Sequence, residues 1–129
     1  MKCVKRMEST IKSLYAQWNW DILDNLADWV VEEAIQIQQV PAPTFDEKAR
    51  AKYVSSRFQD MKLTDISMDD VYNVYGRLPG KTSNTAILVL AHTDTVFPID
   101  TDLTVKREGN TIYGPGLGDN SMGVAGLRW

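Results

Sequence analysis

One histidine stands in this chain of 129 residues. It is His92, in the run Ala91-His92-Thr93-Asp94-Thr95, and a carboxylate follows two residues on. An imidazole can bind a divalent metal through one ring nitrogen while a carboxylate accepts from the other and fixes the ring. A second carboxylate, Asp119, lies in the turn-rich stretch Gly114-Pro-Gly-Leu-Gly-Asp119-Asn-Ser-Met-Gly123. His92 with Asp94 is therefore a candidate metal-binding pair, and Asp119 offers a second carboxylate. Each also has a simpler reading. A His-x-Asp pair is common, Asp is among the best helix N-caps, and the three glycines before Asp119 and Asn120 can serve only a sharp turn. A phosphate cradle is disfavoured, because no Lys-Ser/Thr follows those glycines.

These residues need a scaffold that brings two distant loops together. The run Ala86-Ile-Leu-Val-Leu90 is apolar throughout, which predicts a strand buried on both faces, with His92 at its carboxyl end. Residues 63–69 and Val71 to Leu78 predict two further strands, the second followed by the turn Pro79-Gly80-Lys-Thr-Ser-Asn84. Leu103–Arg107 and Thr111–Tyr113 predict a hairpin around Glu108-Gly109-Asn110. Apolar residues recurring at three and four predict helices near 8–18 and 21–39, the second stopped by Pro41. Thr44-Phe-Asp-Glu47 reads as a capping box opening a third helix to about Asp60, and a fourth should begin near Asp119 or Asn120. Helices followed by strands and a new helix make an α/β pattern, and in open α/β sheets ligands bind at strand carboxyl ends. Trp18, Trp20 and Trp29 read as core or interface packing. Asp69, Asp70, Asp100 and Asp102 read as solvated loop charges.

The bulk numbers exclude several classes. Hydrophobic residues make up 43% and charged residues 24%, the balance of a globular protein. The net charge of -3, without a basic block, argues against nucleic acid. No apolar run approaches the ~20 residues of a membrane helix. The single Cys3 forms no internal disulfide and reads as a free thiol, so a cytoplasmic setting is expected.

Four segments, taken in order, resemble the M20 family of zinc metallopeptidases. They are Val40-Pro-Ala-Pro-Thr-Phe-Asp-Glu-Lys-Ala-Arg50, Asn73-Val-Tyr-Gly-Arg-Leu-Pro-Gly80, Ala91-His-Thr-Asp-Thr-Val-Phe-Pro98 and the stretch from Gly114 to Leu127. The resemblance runs from about Ile22 to Leu127. It implies a three-layer α/β catalytic domain with a mixed central sheet, residues 22–129 being its N-terminal part and 1–21 a helical extension. It implies that His92 ligates one zinc, that Asp94 sets the imidazole tautomer, and that Asp119 bridges two zincs, with cobalt or manganese as alternatives. Gly116 and Gly118 would allow close backbone approach beside that site, and the Asp119–Asn120 peptide would be cis in the metal-loaded full-length enzyme but trans or locally disordered in solution in this chain without metal. The reaction implied is hydrolysis of small peptides or N-acyl amino acids by a water that two zincs activate.

The family's proton-carrying glutamate, its remaining metal ligands and its lid domain, through which such enzymes form homodimers, have no counterpart after Asp119. Glu32, Glu33 and Glu47 lie on helices with simpler roles. The expectation is a truncated, inactive piece of such an enzyme. The alternative is a non-catalytic remnant or an interaction module that binds a partner through its aromatic N-terminal helix.

Overall fold

The structure is a computed structural model that describes residues 2–17, 19–81 and 86–127. The expectations for the Cys3 thiol, for Trp18 and for the turn residues Thr82, Ser83 and Asn84 fall outside the described residues and side chains. In chain order the elements are α1 (Lys2–Gln17), α2 (Asp21–Gln38), α3 (Lys48–Asp60), β1 (Thr64–Met68), β2 (Val74–Arg77), β3 (Lys106–Glu108), β4 (Thr111–Tyr113), a single π-helical turn (Leu117–Ser121) and α4 (Met122–Gly126). This is a mixed α/β chain. No described helix is long and apolar enough to cross a membrane.

The helices follow the apolar periodicity, but burial is uneven along them. In α2 the first turn is exposed at Ile22 and Leu23, and only the second half, at Ala34 and Ile37, is buried. Those two residues meet Val54 of α3, Leu117 of the π turn, and Val124 and Ala125 of α4 to form the core. Burying a side chain such as Ile37 contributes about 1.5–3 kcal/mol. The core therefore clamps the loop that carries Asp119 against α2. Gln38 completes the clamp: its buried amide donates to the Leu103 carbonyl at 3.1 Å and the Pro115 carbonyl at 3.0 Å.

The strands form two separate antiparallel pairs, β1 with β2 and β3 with β4. The β3–β4 register, Lys106 opposite Tyr113 and Glu108 opposite Thr111, is that of the expected hairpin, turned at Gly109 with φ +57°. The central sheet expected around residues 86–90 is absent among the described residues. That run is extended coil, with Ile87, Leu88, Val89 and Leu90 all exposed. Its composition encodes burial on two faces, and a strand realises that only between flanking strands and covering layers. Here neither hairpin lies along it. The nearest strand-like contact is a parallel bridge between Pro43 and Thr95.

Two further local expectations change. The capping box does not form: α3 starts at Lys48, and Glu47 at its N-cap makes no side-chain cap bond. The Glu47 carboxylate instead accepts from the Phe45 amide at 2.7 Å, and Thr44 is engaged by the candidate site. Trp20 is not core: it is part exposed and stacks on Tyr15 with ring centroids 5.0 Å apart, donating to the Tyr15 carbonyl at 2.7 Å. Trp29 is half-buried.

Candidate metal centre

The Pro43–Thr95 bridge places the two sides of the site. The Thr95 amide donates to the Ala42 carbonyl at 2.8 Å, and the Thr44 amide donates back to Thr95 at 3.2 Å. That pairing brings the Thr44 hydroxyl to Asp94, to whose carboxylate it donates at 2.7 Å. Asp94 in turn lies 3.2 Å from Nδ1 of His92, and its backbone carbonyl is equally near. On the other side of the ring, Nε2 of His92 is 2.9 Å from a carboxylate oxygen of Asp119. The result is a chain Thr44–Asp94–His92–Asp119 across three segments that lie far apart in sequence.

The electrostatics follow from these contacts. Burial pulls the His92 imidazole toward neutrality, but the bonds to Asp119 and Asp94 outweigh it, so its pKa is raised overall. The Thr44 hydroxyl is the largest influence on Asp94; together with His92 it overcomes partial burial and holds the carboxyl below its ordinary range. The far end of the site is open. The Asp119 side chain is 91% exposed and His92 52%.

Asp119 is held by an irregular turn rather than by a capping role. It has φ -123° and ψ 90°, which breaks the helical path inside the π turn, and the Asp119–Asn120 peptide is cis. The expected N-cap function fails: α4 begins at Met122, with Ser121 at its N-cap. Gly116 does what close approach requires. It has φ +70°, and a Cβ there would lie 2.8 Å from Cγ2 of Thr95. Gly118 does not, since a Cβ there meets nothing within 4 Å. Gly123 is needed for another reason, because a Cβ would collide with the Asn120 side chain.

All three sequence-predicted residues, His92, Asp94 and Asp119, come together. Two that sequence reasoning passed over join them. Thr44 was assigned to a capping box, and Arg50, a buried cation on α3, donates to the Thr93 carbonyl between His92 and Asp94 at 2.8 Å. No spacing rule marks either residue. An open cleft of about 420 Å³, lined by Thr44, Phe45, Glu47, Asp70, Val71, Tyr72 and Asp94, adjoins the site.

The donor set suits a divalent metal in kind and falls short in number. A cation between Nε2 of His92 and Asp119 would take the place of their hydrogen bond, while Asp94 kept the opposite ring nitrogen. Zinc normally takes three or four protein ligands. Among the described residues no three His, Cys, Asp or Glu side chains group to hold an ion, because Asp94 faces the wrong side of the ring. The residues present fit as two ligands of a larger set.

Residues 73–128 match the model of Peptidase family M28, a family of zinc metallopeptidases. The match covers just under half of the chain and includes His92, Asp94 and Asp119; Thr44 and Arg50 lie outside it. It supports the class, a zinc-dependent peptidase, and not the M20 family in particular. No curated protein matches the chain.

Proposed function

We propose that His92 and Asp119 are two ligands of a zinc centre that hydrolyses amide bonds in small peptides or N-acyl amino acids. The observation that carries this reading is His92 held between two carboxylates, inside the segment similar to a zinc-peptidase family. The finer M20-type arrangement belongs to the same proposal. In it Asp119 bridges two zincs, residues 22–129 contribute to a three-layer domain beyond the 1–21 extension, and the complete enzyme is cytoplasmic and pairs through a lid. Cobalt or manganese would serve in place of zinc.

When bound, zinc supplies a Lewis acid for the amide carbonyl and acidifies water. This chain's residues provide the geometry. Asp94 accepts from Nδ1 of His92, so a cation that displaced the Nε2–Asp119 hydrogen bond would meet the Nε2 lone pair. Thr44 fixes Asp94, and Asp119 offers a solvent-exposed carboxylate. The other ligands and the group that carries the proton would come from outside these residues. Calorimetric zinc titration of the purified chain, with a dipeptide hydrolysis assay, tests the reading. The expected result is weak binding lost in His92→Ala and Asp119→Asn, without turnover. Equal zinc affinity in His92→Ala and the wild type would overturn the ligand assignment.

A second reading has one observation behind it. Met7, Ile11, Leu14 and Tyr15 recur along one side of α1 and are all exposed, as a partner-binding helix would present them. Sedimentation of the chain with Ile11→Asp, beside the wild type, tests whether that side mediates association.

A further inference from the structure

Arg50 is the largest fully buried side chain, with 2% of its surface exposed. A buried charge normally has a carboxylate partner; the Asp94 charge acts on Arg50 from nearby, yet among the described residues no direct salt bridge to it forms. Its three contacts are backbone carbonyls: Nε to Val40 at 2.8 Å, Nη1 to Thr93 at 2.8 Å and Nη2 to Gln38 at 3.4 Å. Two of these have a local explanation. Gln38 and Val40 lie at the end of α2, where carbonyls lack helical partners and cations are favoured. Thr93 is not at a helix end. Its carbonyl belongs to the short segment from which His92 and Asp94 project.

That segment needs an anchor. On one side it is tied to residues 42–44 through the Thr95 and Thr44 amides. The run before it, residues 86–90, pairs with no described strand. A planar guanidinium spends its donors in fixed directions, so Arg50 links the end of α2 rigidly to the Thr93 carbonyl. A rotation of that peptide would swing the flanking side chains.

We propose that Arg50 is a positioning residue for the candidate metal centre: by gripping the Thr93 carbonyl it fixes the segment bearing His92 and Asp94 and so aims the His92 ring at Asp119. The aiming is independent of whether the centre binds zinc and hydrolyses amides; only its use there rests on that reading. The test is nitrogen-15 NMR of the His92 ring in the full chain at a fixed, mildly alkaline pH, for wild type, Arg50→Met and Arg50→Lys. The Ile112 and Tyr113 amides of the β3–β4 hairpin report the fold.

In the wild type, the ring nitrogens should show one dominant tautomer. In Arg50→Met they should average toward free-histidine values while the hairpin signals hold, and Arg50→Lys should lie between. Unchanged ring signals in a folded Arg50→Met would overturn the proposal, as would wild-type signals already at free-histidine values. If Arg50→Met loses the hairpin signals, Arg50→Lys decides: a ring shift with the hairpin retained supports positioning, and an unmoved ring refutes it. Zinc titration of the same samples separates the two claims, since a ring that moves without any zinc response sustains the positioning and sinks the metal reading.

Discussion

Thr44 and Asp94, fifty residues apart, share a hydrogen bond of 2.7 Å that joins the loop before α3 to the segment carrying His92. Thr44 stands three residues before the Glu47 N-cap of α3, out of register for capping, and its hydroxyl donates across the fold instead. A carboxylate is a stronger acceptor for a hydroxyl than the alternatives nearby, and bonds to ionised groups are roughly twice as strong as neutral ones. Thr44→Val keeps the shape and removes the donor. Partners of this kind affect metal affinity by about 10–100-fold when they touch a ligand directly. Thr44 is one step further out, so zinc affinity should fall by about tenfold or less, with the melting temperature little changed. A larger loss than that from Asp94→Ala would mean Thr44 acts by another route.

Asp119 and Asp94 flank the same ring, but they should not be equivalent. Asp119 offers its carboxylate on the open side, where a cation would sit, whereas Asp94 orients the imidazole from behind. Asp119→Asn should therefore reduce zinc binding more than Asp94→Ala does. Elemental analysis after dialysis against zinc ranks the two, and the reverse order would exchange their roles.

Asp69 supplies the pH dependence that the fold predicts. Its carboxylate accepts from the Asn73 side chain, from the Val71 and Asn73 amides and from the Tyr75 hydroxyl. The Asn73 side chain is the largest cause of a pKa below the ordinary value. A depressed folded pKa means that the unfolded chain takes up the proton first as pH falls. The contribution is therefore present above the unfolded Asp value of about 3.9 and is lost as pH drops through the folded value. The Val71 and Asn73 amide resonances should shift in that acid range and lose the shift in Asp69→Ala. Resonances that shift at or above the unfolded Asp value instead of below it would contradict the argument.

Glu33 is buried, and Arg57 reaches its carboxylate through two nitrogens, at 3.0 Å and 2.7 Å; Tyr53 adds its hydroxyl at 3.3 Å. The bond to Glu33 is the largest cause of a raised Arg57 pKa. Removing one partner of a buried pair strands the other charge, at about 3–5 kcal/mol. Arg57 is itself one-third exposed, and Tyr53 remains, so Arg57→Met should cost about 2 kcal/mol, at the weaker side of that effect. Denaturant unfolding measures it. Glu33→Gln with Arg57→Met should recover part of the loss, because the stranded charge is gone.

The helices and the hairpin were legible because periodicity and turn chemistry are local signals, although α1 starts at Lys2, six residues before the expected helix near 8–18. Residues 86–90 were not: a two-faced apolar run states a need for neighbours, and those neighbours are not among the described residues. His92, Asp94 and Asp119 were legible through residue type and their place in loops. Thr44 and Arg50 were not, because nothing in a sequence tells a capping threonine from one that finds a carboxylate fifty residues away, or an exposed helix arginine from a buried one. Asp119 as a cap failed for a related reason, since the turn at Gly116 had already set its backbone direction.

That turn gives the last prediction. Gly116 has φ +70°, a conformation that costs a residue with a Cβ about 1–2 kcal/mol. The strain is only part of the effect. A Cβ there would meet Cγ2 of Thr95 at 2.8 Å, and Thr95 is buried and tied to Ala42 by its backbone. It cannot retreat without loosening the Pro43–Thr95 bridge, and with it the approach of Thr44 to Asp94. Gly116→Ala should thus destabilise the chain by about 2–3 kcal/mol, strain and crowding together, and also disturb the His92 ring. Gly118→Ala is the control, because its Cβ meets nothing and its backbone is not left-handed. Chemical denaturation of both variants, read beside the His92 ring signals, separates the two sites. Equal stability of Gly116→Ala and Gly118→Ala would show that the turn does not brace the segment bearing His92.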